Sequence, residues 1–145
     1  MIFNSLDDVI SYINSICSTA MNPMGERMEE IMKNELMHQV YASYTPNQYE
    51  RTGQLEDTPN IALIDSDSVT VEFQDNGDWK DVPSGNHAFP ISRFEQGQVW
   101  AEGGGKNNPK YLPATNIMDE SFSKCQSDIP PLLAEFLKSR GIPIK

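Results

Sequence analysis

The chain has 145 residues, 38% of them hydrophobic, two cysteines, and a formal charge of −10 from 11 basic and 21 acidic side chains. That length predicts a single domain over residues 1–145 with one core. The charge excludes a phosphate-binding face, because backbone binding to nucleic acid draws on clustered cations, and no apolar run approaches the ~18 residues of a membrane span.

The first predicted element is a helix. Leu6, Val9, Ile10, Ile13, Ile16, Cys17 and Ala20 recur at three- and four-residue steps, one stripe of an amphipathic helix. Ser5 with Asp8 fits a capping-box start, Asp standing for the preferred Glu. Pro23 and Gly25 predict a break or sharp kink at residues 21–25. A second helix is expected over about residues 26–44, with Met28, Ile31, Met32, Leu36 and Val40 on its apolar side and Pro46 ending it.

Two strands follow a loop over residues 45–59. Residues 60–65 form a short apolar run. In residues 68–74, Val69, Val71 and Phe73 face one way and Ser68, Thr70, Glu72 and Gln74 the other. That is the pattern of a half-buried antiparallel strand. Asp65-Ser66-Asp67 supplies the turn between the strands, and Asp75-Asn76-Gly77-Asp78 the next one. Residues 79–127, punctuated by prolines and Gly103-Gly104-Gly105, predict a loop-rich insertion with short strands near 99–101 and 111–112. A final helix is expected from Asp128 as cap, with Pro130 and Pro131 in its first turn. Leu132, Leu133, Phe136 and Leu137 form its buried face. Gly141 is placed at the left-handed position after the end, and Ile142 folds back. The order of elements predicts an α+β fold: N-terminal helices, a small antiparallel sheet with a long irregular insertion, and a C-terminal helix.

Signs of chemistry are weak. Gly105-Lys106 is followed by Asn107, and Trp100 stands where a phosphate loop needs its first glycine. Glu35 and His38 share a helix face without a third ligand, the pattern of a solvated face. Asp75-Asn76-Gly77-Asp78 starts like a calcium loop but lacks its later ligands. No G-x-S-x-G surrounds a serine and no C-x-x-C occurs. The expectation is therefore a protein without catalytic residues, metal or cofactor. The first residues carry no basic n-region or apolar h-region, so folding in a reducing cytoplasm is expected.

One segment is distinctive: Tyr44-Thr45-Pro46-Asn47-Gln48-Tyr49-Glu50-Arg51-Thr52-Gly53-Gln54-Leu55. It runs from a helix end through a proline-containing loop to Arg-Thr-Gly-x-Leu, just before the hairpin. It resembles the minor head–tail joining and tail-completion proteins of tailed bacteriophages, in which R-T-G-x-L follows the N-terminal helices. Tyr44-Thr45-Pro46 with Tyr49-Glu50-Arg51 is similar to the version in phages of Gram-positive hosts. The resemblance covers residues 25–75, and the C-terminal helix by order of elements. Residues 79–127 have no counterpart in it. Read physically, Gly53 allows a positive φ or a close backbone approach, and Thr52 bonds nearby backbone to shape the turn. Arg51 offers a planar fork of donors, to local carbonyls or to an acidic neighbouring subunit. Leu55 is a core anchor, and Tyr44 and Tyr49 pack or meet a partner.

The resemblance implies a structural virion protein that forms a homo-oligomeric ring at the phage neck. There it would complete or terminate the tail and join it to the head, beside other neck, portal-adaptor or tail-tube proteins. DNA would pass nearby without specific binding, and no membrane is involved. It would sit in the virion after assembly in the host cytoplasm. A portal-side head-completion adaptor or stopper is the alternative within the family. Outside it, the alternatives are a monomeric acidic binding or inhibitor protein and a small hydrolase or nuclease. Asp65, Asp67, Asp75 and Asp78 are expected on exposed surface, towards the DNA channel, since four nearby carboxylates need solvation. The loop over residues 101–113, flanked by Trp100, Tyr111 and Leu112, is expected to become ordered only on assembly, with Lys106 and Lys110 meeting an acidic neighbour.

Overall fold

The structure, a computed structural model, describes residues 2–42, 55–74, 90–97 and 112–145. Its first element is a single helix, α1, Leu6–Leu36. Ser5 caps it by accepting from the Asp8 backbone N–H at 3.1 Å, and Asp8 reaches back to the Asn4 N–H at 3.1 Å. Both bonds satisfy donors that a helix start leaves without partners.

The break expected at residues 21–25 is absent. Pro23 lies inside α1, with Ala20, Met21, Met24 and Gly25 buried around it. A proline in a helix interior costs ~3 kcal/mol, but each fully buried apolar side chain returns about 1.5–3 kcal/mol. Met21 and Met24, both buried beside it, therefore offset the lost hydrogen bond, and the helix runs through. At its far end α1 widens into a π-helical turn, Met37–Tyr41, closed by the Ala42 N–H on the Met37 carbonyl at 2.8 Å.

The hairpin pairs β1, Pro59–Ile64, with β2, Val69–Phe73, antiparallel. Pro59 stands opposite Phe73 and Ile61 opposite Val71. The register then slips, so that Leu63 faces Thr70 and Ile64 faces Val69. The bulge upsets the alternation of β1 and leaves Leu63 and Ile64 both exposed. The buried Thr58 bonds the Leu55 carbonyl through its hydroxyl at 2.7 Å, and its own carbonyl accepts from the Gln74 N–H at 2.7 Å. These bonds close the base of the hairpin.

The hairpin lies on α1 at Gly25. A β-carbon built there would stand 2.8 Å from Val69 Cγ2 and 3.0 Å from Ile61 Cδ1. The glycine is the gap that lets sheet and helix touch. Beyond it the core gathers Met32, Leu36 and Val40 with Phe73, Ile91 and Ile117, and Tyr41, Leu55, Val71 and Phe94 pack around them.

Within the stretch expected to be loop-rich, the described residues hold a short helix, α2, Pro90–Glu95, and the first turns of the last helix. That helix, α3, spans Ile117–Ser139, so it starts eleven residues before the expected Asp128 cap. Pro130 and Pro131 are interior rather than in the first turn. The fixed φ of proline suits a helix, and the prolines' missing donors are tolerated because α3 is fastened along its length to α1. The Glu95 carboxylate accepts the Met118 N–H at 2.8 Å and so caps α3 from α2. The other end is as expected. Gly141 has φ +82°, its N–H bonds the Lys138 carbonyl, and the Ile142 N–H bonds the Leu137 carbonyl, both at 3.0 Å. The fold is α+β.

Candidate functional site

α1 and α3 lie antiparallel, pinned at three levels. The Tyr12 hydroxyl donates to the Arg140 carbonyl at 3.3 Å. Arg27 reaches Asp128 and Glu30, each at 2.7 Å. Lys124 pairs with Glu35, which also accepts from the Gln39 amide at 2.9 Å. Gln39 in turn accepts the Asn116 N–H at 3.0 Å and so positions the start of α3.

Among the described residues Glu35 is the one buried carboxylate, where a solvated face was expected. Burial alone would push its carboxyl up. The Lys124 ammonium and the Gln39 amide outweigh that, and the group titrates below its ordinary range. Lys124 is held above the ordinary lysine value by the same bond. Asp128, bonded by Arg27 and Ser127, is likewise held low. His38, on the same turn as Glu35, is exposed. Among the described residues no three His, Cys, Asp or Glu side chains gather as a metal site would need, and no helix is long and apolar enough to cross a membrane.

What the helix pair leaves uncovered lies at its two ends. Tyr12 meets Arg140 just past the last residue of α3, so the first turns of α1 run on beyond their partner. Leu6, Ile10 and Ile13 continue the stripe that is buried further along, yet they stand 73%, 47% and 38% exposed. Lys138, Arg140 and Lys145 lie at this end. At the opposite end Met37, Met118 and Phe122 are exposed, Phe122 at 64%. Asp119 and Glu120 in the first turn of α3 flank them. Single exposed apolar side chains are ordinary on a monomer, whereas apolar side chains grouped at one place on the surface mark interaction sites.

A family profile described as YomN matches residues 5–137. The chain belongs to the YomN family. It is a phage-derived family, and its matched span takes in α1, the hairpin and all but the last two residues of α3. Neither the curated proteins nor the solved structures contain a match to this YomN-family chain.

Of the candidate motif, interface and channel residues, three are described. Leu55 is half-buried against the core, and Asp65 and Asp67 are exposed at the hairpin turn, with the Asp65 N–H closing on the Ser68 carbonyl at 2.8 Å. Tyr44, Pro46, Tyr49, Arg51, Thr52 and Gly53 lie outside the described residues, as do Asp75, Asp78, Trp100, Lys106, Lys110 and Tyr111. Sequence reasoning read Glu35 as solvated, although its place four residues after Ile31 on a buried stripe signalled burial. It also missed Met118 and Phe122, an i,i+4 apolar pair within a stretch read as irregular.

Proposed function

We propose that this chain is a structural subunit of a phage virion, one that assembles with copies of itself into a ring at the neck, completes the tail and joins it to the head. Its partners there would be other neck, portal-adaptor or tail-tube proteins, and it would carry out no catalysis of its own. The observation that supports this is a phage-derived chain whose helix pair leaves core-type side chains uncovered at both ends. Burial completed only against neighbours is what an assembly subunit needs. The net charge of −10 suits a surface past which DNA must slide without sticking, and the exposed Asp65 and Asp67 are the described carboxylates offered for that surface.

Deletion of the gene from a producing phage tests the reading. The expected outcome, by electron microscopy of the lysate, is full heads and tails that fail to join, or tails without a finished end. Normally joined, infectious particles from the deletion would overturn the assembly role.

A further inference from the structure

α2 and the start of α3 are fastened into one piece. The Thr115 N–H bonds the Phe94 carbonyl at 3.0 Å, and the Glu95 carboxylate holds the Met118 N–H. This piece meets α1 through Ile91 and Ile117, which join the cluster of Leu36 and Val40. It also meets α1 at Glu35, which takes Lys124 directly and Asn116 by way of Gln39. The next tie along the seam, Arg27 with Asp128, lies one turn further along α3 and shares no group with Glu35. Two observations mark the piece as the part of the fold most easily released. Thr115 Oγ1 and Ser121 Oγ are buried without a hydrogen-bond partner among the described residues, and both lie in it. Such a hydroxyl gives up its water without replacement, and opening returns it. Secondly, the carboxylate that holds the piece is only 2% exposed. A charge so buried is tenable only while its partners are in place.

We propose that α2 with residues 112–124 opens from α1 as a unit, ahead of the rest of the fold, and that the charge of Glu35 is its latch. Opening uncovers Leu36, Val40, Ile91 and Ile117, while the Arg27–Asp128 tie and the hairpin stay in place. It is a local unfolding step of the kind in which cooperative units of a domain separate below the global transition. Protonation of Glu35 releases the latch, so opening grows as the pH falls through the lowered native value of this carboxyl. Other groups at this place titrate too. His38 on the π-helical turn favours the Glu35 carboxylate, and Glu120 and Asp128 on α3 favour the Lys124 ammonium. α2 carries Arg93 and Glu95, and the hairpin carries the exposed Asp57 and Glu72. A test at neutral pH holds all of these fixed. The latch is a property of the isolated chain and does not rest on the virion reading.

Hydrogen exchange of the purified full chain at neutral pH, read by mass spectrometry, tests it with Glu35→Gln, which keeps the shape and removes the charge. Amides of residues 92–97 and 117–124 are expected to exchange about tenfold faster than in the parent, or more. Those of residues 16–32, 59–73 and 129–139 are expected to keep the parent's rate. Asp128→Asn, at the neighbouring tie, is expected to leave residues 92–97 at the parent's rate. Uniform acceleration through α3 and the hairpin in Glu35→Gln overturns the inference. So does no acceleration at all, or an equal release of residues 92–97 by Asp128→Asn. Circular dichroism checks that each variant is folded. If Glu35→Gln does not fold, the parent decides alone, by exchange in low urea. Residues 92–97 and 117–124 should then open in one common step, at less urea than residues 129–139 require, and opening of all three together overturns the inference.

Discussion

Gly25→Ala sets two effects of similar size against each other at one position. In an exposed helix interior the change stabilises by about 0.8–1 kcal/mol, because alanine is the better helix former. Here the new methyl would stand 2.8 Å from Val69 Cγ2 and 3.0 Å from Ile61 Cδ1, against an ordinary carbon–carbon separation of about 3.5–4.0 Å. The hairpin would have to give by roughly half an ångström or more at both points. Ile61 can turn its terminal carbon aside. Val69, branched at Cβ, has little freedom in a strand. Overpacking of this kind costs about 1–3 kcal/mol, so the net expectation is a loss of up to ~2 kcal/mol. For a chain of this size that is a fall in Tm of several degrees, at about 3 °C per kcal/mol. Gly25→Leu, with three more carbons in the same gap, should cost more still. The deciding assay is urea unfolding of a four-member cycle: parent, Gly25→Ala, Val69→Ala and the double variant. With Cγ2 gone, alanine at position 25 should recover its helix benefit, giving a coupling of at least ~1 kcal/mol between positions 25 and 69. A Gly25→Ala variant that gains about 1 kcal/mol by itself, with no coupling to Val69, would refute the close approach of hairpin and helix.

Acid should loosen the helix pair. Glu35 titrates below its ordinary value of 4.5 in the folded chain, so its stabilising contribution is complete above that pH and is lost as the pH falls through the lower native value. Thermal melts between pH 7 and 3 should show Tm falling at the acid end. Glu35→Gln, already uncharged, should flatten that fall, and an unchanged acid slope would show that the pair with Lys124 does not contribute to it. Gly141→Ala places a side chain at φ +82° with nothing within 4 Å of it, so backbone strain alone should lower stability by about 1–2 kcal/mol; an unchanged Tm would count against the left-handed turn.

The hairpin was legible because Val69, Val71 and Phe73 alternate with polar residues, and two-residue periodicity has one structural meaning. Ser5 and Gly141 were legible because each acts on backbone groups next to it. Pro23 and the Pro130-Pro131 pair misled for the complementary reason. A proline states a local cost, and whether the helix continues depends on what buries its flanks, which for Pro23 is a hairpin some forty residues away and for Pro130 and Pro131 is α1 itself. Glu35 shows the same limit. Its charge argued for solvent, and only the arrival of Lys124 from α3 makes a buried place tenable. The uncovered ends were half legible. The Leu6, Ile10 and Ile13 stripe was plain, but that it outruns α3 depends on where α3 stops against it. The Arg51-Thr52-Gly53 motif carried the resemblance and lies outside the described residues.

The π-helical turn at Met37–Tyr41 acts as a phase corrector. Side chains four apart on an α-helix overshoot one full turn, so a stripe at every fourth residue drifts steadily around the axis. Met32, Leu36 and Val40 are such a stripe, and all three are buried in one cluster. Each residue of the wider turn rotates the chain by less than an α-helical residue does, which winds the last step back and keeps Val40 in line with the two before it. A chain shortened by one residue at this point would regain regular α-helical hydrogen bonding but rotate Val40 and Tyr41 off the core, so the turn holds its length as a condition of burial.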